Sequence, residues 1–196
     1  KYKKYYHQVL KNLNSKKLFY FYYDEKKNYN EAYKLMKKII FFITKHSNNK
    51  KRLNIYVSCD KSFFMYVSIL AILLTNNIWI PLSKSLPQKR IKEILNSVPP
   101  DIFLFDDENE SKLFKKYTSK IFSFNQVEKS KFLHNVLPVK NLINSISFDR
   151  PAFIYFTSGS TGKSKGIMVS HINIISDEFA QKKHLYNFSF VKKEKE

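Results

Sequence analysis

Apolar residues at positions 2, 5, 6, 9, 10 and 13 recur at helical spacing, and the pattern then tightens into a β-rich run, Leu18 to Tyr23, closed by the polar turn Asp24 to Lys27. A second apolar face, Tyr33, Met36, Ile39, Ile40 and Ile43, predicts a helix capped by Asn30 and ended by Ser47-Asn48-Asn49. Leu53 to Ser58 reads as a strand, Phe63 to Leu74 as an apolar helix started by Asp60 or Ser62, and Ile78 to Leu82 as a buried strand. Pro87 suits the first residue of a helix reaching about Ser97, Pro99-Pro100 stops it, and Ile102 to Phe105 is another short strand. A weaker helix is expected at Ser111 to Tyr117, a strand at Lys120 to Phe124, and a polar irregular stretch to about Arg150. The strand Ala152 to Phe156, a β-like Ile167 to Ser170 and a helix from Asn173 to about Tyr186 complete the pattern. Repeated β/α alternation predicts an α/β fold with a largely parallel sheet, and no internal repeat interrupts it.

At 196 residues with 43% hydrophobic content, a core is easily supplied. The most apolar stretch, Phe63 to Leu74, is shorter than the ~20 residues that span a bilayer, so the expectation is a buried helix and no transmembrane segment. The formal charge of +19 raises nucleic acid as a partner. Yet only Arg52, Arg90 and Arg150 among the 35 basic residues are arginine, whereas nucleic-acid sites favour the bidentate guanidinium. The chain is rich in Lys, Asn, Ile, Phe and Tyr, the skew of AT-rich coding, which accounts for the charge without a nucleic-acid site. Cys59 is the single cysteine, which rules out an internal disulfide and makes a cytoplasmic location the expectation. The opening Lys1-Tyr2-Lys3-Lys4-Tyr5-Tyr6 has neither initiator Met nor signal peptide, and reads as cut from something longer.

All three glycines, Gly159, Gly162 and Gly166, fall in one eight-residue window directly after an apolar strand. Glycine belongs where the backbone takes positive φ or approaches a ligand, and here it alternates with hydroxyls and two lysines. Such a loop can curl so that successive N–H groups point at one anion, with Thr157, Ser158, Ser160 and Thr161 as hydroxyl donors and Lys163 and Lys165 as charges. Phosphate is the ligand this chemistry suits, and a plain Gly-Ser surface linker is the alternative. Two other motifs nearly fit. Gly162-Lys163-Ser164 ends like a Walker A loop, but Thr157 stands where its first Gly belongs. Gly162-Lys163-Ser164-Lys165-Gly166 matches a serine-hydrolase elbow, with Asp177 and His184 in order behind it, but no apolar strand leads directly into Gly162.

The run Tyr155-Phe156-Thr157-Ser158-Gly159-Ser160-Thr161-Gly162-Lys163-Ser164-Lys165-Gly166, followed by Ile167-Met168-Val169-Ser170-His171, resembles the phosphate-loop signature of the adenylate-forming (AMP-dependent synthetase/ligase) enzymes. Upstream, Asn28-Tyr29-Asn30-Glu31-Ala32 resembles the family's Thr-Tyr-x-Glu-Leu helix start. Ile78-Trp79-Ile80-Pro81-Leu82, with Leu86-Pro87 and Arg90-Ile91, resembles its Tyr-Val-Pro-Leu-Asp-x-x-x-Pro-x-x-Arg-Ile segment. The second segment is nearest to amino-acid adenylation domains and D-alanine carrier-protein ligases.

The resemblance implies a partial N-terminal AMP-binding domain over residues 1–196, with its phosphate loop at 155–166 and the C-terminal domain absent. It implies activation of an amino or fatty acid with ATP and its Mg²⁺, then transfer to a thiol, either carrier-protein phosphopantetheine or CoA. Thr157, Ser158, Gly159, Ser160, Thr161, Gly162, Lys163, Lys165 and Gly166 would bind the ATP phosphates, and His171 is a possible substrate-side residue. The family's catalytic Lys, its ribose-binding Asp and its Tyr-Gly-x-Thr-Glu segment lie beyond this chain, so no catalytic residue is carried over and the chain alone is expected to be inactive. Ser164 stands where the family has Pro, which loosens the loop without removing a ligand group. The competing expectations are an acyl-CoA synthetase of the same family, an inactive nucleotide-binding or relic fragment, and a basic nucleic-acid binder. No Cys/His spacing supports a dedicated metal site. The acidic group Asp106, Asp107, Glu108 and Glu110 reads as a solvated turn.

Overall fold

Five strands of one six-stranded sheet run parallel, and the sixth turns back antiparallel at the edge where the glycine-rich loop lies. The computed structural model describes residues 3, 6, 7, 11, 15–22, 25–50, 52–106, 111–130, 139–158 and 164–177. The predicted N-terminal helix and the helix beyond residue 177 fall largely outside these.

A small antiparallel hairpin comes first, β1 (Leu18–Tyr22) with β2 (Glu25–Asn28), so Glu25 to Lys27 is strand where the polar pattern predicts a turn. Then follow α1 (Tyr29–Lys45), β3 (Asn54–Ser58), α2 (Phe63–Leu74), β4 (Ile78–Pro81), α3 (Gln88–Ser97), β5 (Ile102–Phe105), α4 (Ser111–Phe114) and β6 (Ile121–Ser123). Next come α5 (Phe124–Lys129), α6 (Val139–Ser145), β7 (Pro151–Ser158) and β8 (Ser164–Ser170). The main sheet has the order β6-β5-β3-β4-β7-β8.

Local chemistry sets the helix starts. Asn28, not Asn30, caps α1: its Oδ1 accepts from Glu31 N at 3.0 Å, and the Glu31 carboxylate accepts from Asn28 N at 2.8 Å. This reciprocal box satisfies two backbone donors and outcompetes a cap two residues later. Ser62 rather than Asp60 caps α2 through Met65 N, and Pro87 is the N-cap of α3, one position before its first helical residue. The stretch expected to be irregular instead holds α5, capped by a Ser123/Gln126 box, and α6. Where the chain must enter left-handed backbone it uses asparagine: Asn48, Asn49 and Asn76 have φ of 50°, 58° and 61°.

Helices cover both faces of the sheet. On one side α1, α2, α5 and α6 pack Leu35, Met36, Ile39, Val67, Ala71 and Ile143 over Ile55, Val57, Ile102 and Leu104. On the other, Ile91, Ile94 and Leu95 of α3 and Phe114 cover Tyr56, Ile80, Phe103 and Ile154. Tyr56 is fully buried, stacks on Phe103 with ring centroids 5.8 Å apart and donates its hydroxyl to Val98 O at 2.7 Å. Among the described residues no helix is long and apolar enough to cross a membrane.

Candidate functional site

β7 runs to Ser158 and β8 starts at Ser164, so only residues 159–163 join the two strands. Gly159, Ser160, Thr161, Gly162 and Lys163 lie outside the described residues. The strands extend further toward the loop than the apolar pattern suggests because the hairpin pairing continues through polar residues: Phe156 opposes Gly166, Thr157 opposes Lys165 and Ser158 opposes Ser164. Partners directly opposite share a face of the sheet. Thr157 and Lys165 therefore stand together on one face, with Tyr155 and Ile167 one step behind, each about 40% exposed.

The position follows from topology. β7 is parallel to β4, so the loop lies at the carboxyl edge of the sheet, where open α/β sheets hold ligands. The same edge carries Asp60 after β3, Lys84 after β4 and Asp106 after β5. Lys84 Nζ is 2.6 Å from Asp106 Oδ1 and 3.7 Å from Asp60 Oδ2, and Asp106 Oδ2 accepts from Asp60 N at 3.1 Å. Asp106 is thus a cross-tie between strand ends rather than part of a solvated turn; residues 107–110 lie outside the described residues.

The electrostatics of the hairpin suit an anion. Its strands carry no carboxylate, and the exposed Lys165 makes no ion pair among the described residues. Gly166 is needed for packing: a β-carbon there would stand 3.1 Å from Phe156 Cε1 and 3.4 Å from Ile154 Cγ2. Ser164, in place of the family's Pro, opens β8 with its Oγ buried and without a hydrogen-bond partner among the described residues. One contact falls outside the sequence reading. The Arg90 guanidinium donates from Nη2 to Thr157 O at 2.5 Å, tying α3 to the last residues before the loop. The rarity of arginine in this lysine-rich chain is the one sequence signal that marks it.

His171 sits at the opposite end of β8, roughly 20 Å along the strand from Ser164. It is fully buried, its Nδ1 is 2.7 Å from the Tyr6 hydroxyl, and it packs against Tyr6 and Phe148. Burial lowers its pKa to about 4, and the Arg52 guanidinium adds to the effect. The ring is neutral at physiological pH.

The profile of the family described as AMP-binding enzyme matches residues 7–194. The chain belongs to this family. Among the curated AMP-binding relatives, a plipastatin synthase chain from Bacillus subtilis (strain 168) is 33% identical over 119 residues, covering 60% of this chain and 4% of that protein. Nonribosomal peptide synthetase GRA1 of Gibberella zeae is 35% identical over 113 residues, covering 57% of this chain and 1% of that protein. The fold agrees. O-succinylbenzoate coenzyme A synthetase (MenE) from Bacillus subtilis, solved in complex with ATP and magnesium ion, matches with a TM-score of 0.75 at 16% identity, covering 94% of this chain and 47% of that one. The NpsA N-terminal subdomain of Klebsiella oxytoca, bound to 3-hydroxyanthranilyl-AMSN, matches with a TM-score of 0.65 at 19% identity, covering 87% and 39%. The chain therefore spans a few per cent of these curated relatives and less than half of these solved structures. It is an N-terminal portion of the adenylate-forming AMP-binding fold, a mixed α/β unit with a mostly parallel sheet.

Proposed function

We propose that residues 1–196 are a partial N-terminal AMP-binding domain of an ATP-dependent ligase that activates a carboxylate as its adenylate, and that residues 157–166 hold the β- and γ-phosphates of MgATP. The observation that carries this reading is the placement of the signature loop. It caps a hairpin at the carboxyl edge of the sheet, beside a Lys165 that makes no ion pair among the described residues and away from any carboxylate of its own strands. MgATP is written here as substrate; the described residues fit its phosphates in charge and in donor chemistry.

In the reaction so assigned, a carboxylate oxygen attacks the α-phosphorus, the bond to the bridging oxygen breaks, and pyrophosphate leaves with the electron pair. Lys163 and Lys165 offset the repulsion between the triphosphate and the incoming carboxylate, and they stabilise the charge on the leaving group. Thr157, Ser158, Ser160 and Thr161 supply hydroxyl donors, while Gly159 and Gly162 let backbone N–H groups approach the oxygens. A thiol then takes the acyl group and AMP departs. The similarity to peptide synthetases favours an amino acid as the carboxylate and carrier-protein phosphopantetheine as the thiol; a fatty acid and CoA are the other assignment in the family. His171 is assigned to support of the far end of β8 rather than to substrate contact, because its ring is buried beside Tyr6.

Titration of the chain with MgATP tests the loop. Saturable binding weakened about tenfold or more by Lys163→Ala is expected, since a charge-assisted contact to phosphate is lost. Equal or absent binding in both proteins favours the second reading, a relic that kept the hairpin but not the ligand; the buried Ser164 hydroxyl in place of Pro, without a partner among the described residues, is the observation that supports it. Pyrophosphate exchange is expected to be absent from these residues alone, because no catalytic Lys of the family is identified among them.

A further inference from the structure

We propose that Arg90 is a positioning residue for the phosphate loop, a clamp that fixes the end of β7 so that the loop is presented in one register. The inference rests on the reading of residues 157–166 as a phosphate site and adds a residue outside the loop to it.

The sheet leaves β7 without support where the loop begins. β4 pairs with β7 at Trp79↔Phe153 only, and β4 itself ends at Pro81. Beyond Phe153 the inner edge of β7 has no neighbouring strand among the described residues, while β8 pairs along its other edge as far as Ser158. A backbone carbonyl on that inner edge needs a donor from elsewhere. At Thr157 the donor is Arg90 Nη2, at 2.5 Å and partly buried. The guanidinium does there what the next strand would have done.

The helix is built to deliver it. Ile91, Ile94 and Leu95 anchor α3 in the core beneath the sheet, which fixes the opposite stripe. On that stripe Arg90, Glu93 and Ser97 follow one another at i, i+3 and i+7. Glu93 and Ser97 line a cleft of about 430 Å³ whose other wall is Ser164, the first residue after the loop. One helix therefore borders both ends of the loop, bonded to the strand that enters it and facing the strand that leaves it.

The choice of side chain points the same way. Three of the 35 basic residues are arginine. A planar guanidinium with several fixed donors holds a carbonyl in one geometry, whereas a lysine ammonium on a flexible stem spends more of its freedom to do so. Arg90 acts through Thr157 and is not placed on the nucleotide itself.

The test compares wild type, Arg90→Ala, Arg90→Lys, Lys163→Ala and the exposed control Lys92→Ala, each as the whole chain. Amide hydrogen exchange at 157–158 and 164–166, MgATP titration and thermal melting are the readouts. Arg90→Ala is expected to speed exchange at these amides and to weaken MgATP roughly tenfold, with the melting transition retained. Lysine is expected to recover little of either, millimolar methylguanidinium to recover part of both in Arg90→Ala, and Lys92→Ala to match wild type. Wild-type affinity and exchange in Arg90→Ala overturn the proposal. So does lost affinity with unchanged exchange, which would place the guanidinium on the nucleotide, and so does full recovery by lysine. If Arg90→Ala does not fold, Arg90→Lys carries the same comparison. Wild type and Lys163→Ala that both ignore MgATP overturn the phosphate reading itself and the nucleotide part of this proposal with it, while the exchange data still decide whether Arg90 clamps the strand.

Discussion

Phe156 and Gly166 face each other across the β7–β8 hairpin, and the Phe156 ring occupies the space a β-carbon on Gly166 would need, at 3.1 Å from Cε1. That approach lets the ring lie flat against the strand and carry the core up to the base of the loop. Gly166→Ala is expected to cost about 1 kcal/mol, because the ring must shift by a few tenths of an ångström against packed neighbours. Urea unfolding of Gly166→Ala in the wild-type and Phe156→Leu backgrounds checks the cause. A smaller cost in the Phe156→Leu background is expected, and an equal cost in both would remove the ring from the explanation.

His171 gives the fold an acid-sensitive joint. Its Nδ1 meets the Tyr6 hydroxyl at 2.7 Å, its Nε2 is buried without a partner among the described residues, and Arg52, itself held below the usual arginine range by burial and then by Arg150, disfavours a second positive charge. Because the folded pKa is lowered from 6.5 to about 4, the unfolded chain binds the proton more readily. The contribution is complete above pH 6.5 and is lost as pH falls toward 4, by on the order of 3 kcal/mol at most. The difference in unfolding free energy between wild type and His171→Phe, followed from pH 7 to pH 4, should shrink over that window. A difference independent of pH would mean the ring is not buried neutral.

The start of α1 carries a separable contribution. Asn28 and Glu31 each satisfy a backbone donor of the other, so Asn28→Ala is expected to lower stability by about 1 kcal/mol. Because the two act as one box, Asn28→Ala and Glu31→Ala together should cost less than the sum of the single changes. Additive costs in a thermal or urea series would mean the two bonds form independently.

Elements with a strong period are legible in the sequence. Leu53 to Ser58, Phe63 to Leu74 and Ile102 to Phe105 bury one set of apolar residues, and a buried run admits few alternatives. The apolar pattern places the cap of α1 two residues late because Asn28 and Asn30 are equivalent to it, and only the Glu31 geometry separates them. The segment resembling the family's helix start does mark residue 28. α5 and α6 escape the pattern since each is a short turn or two held by its caps and by tertiary burial of Val127, Val139 and Ile143. At the candidate site the loop is visible from its glycines and hydroxyls, yet two properties are not. Gly166 is fixed by the Phe156 ring rather than by a left-handed backbone or a ligand, and Arg90 reaches Thr157 from 67 residues away. Neither follows from composition or spacing along the chain.

Ser164 is the position where the chain departs from the family's loop, and the structure turns that departure into a measurable effect. The hydroxyl is buried beside α3 with nothing among the described residues to bond to, and a buried polar group without a partner loses its hydration for no return. Ser164→Ala is therefore expected to raise stability by about 1 kcal/mol, an unusual direction for truncation at a partly buried site. Ser164→Pro tests a different property, the freedom of the loop. A proline at the first residue of an edge strand is tolerated and restricts the backbone leaving the loop, so MgATP binding is expected to tighten severalfold relative to Ser164→Ala. Melting temperature separates the first effect and nucleotide titration the second. If Ser164→Ala destabilises, the hydroxyl has a partner in solution, and if Ser164→Pro binds MgATP no better than Ser164→Ala, loop stiffness at this position does not limit the affinity.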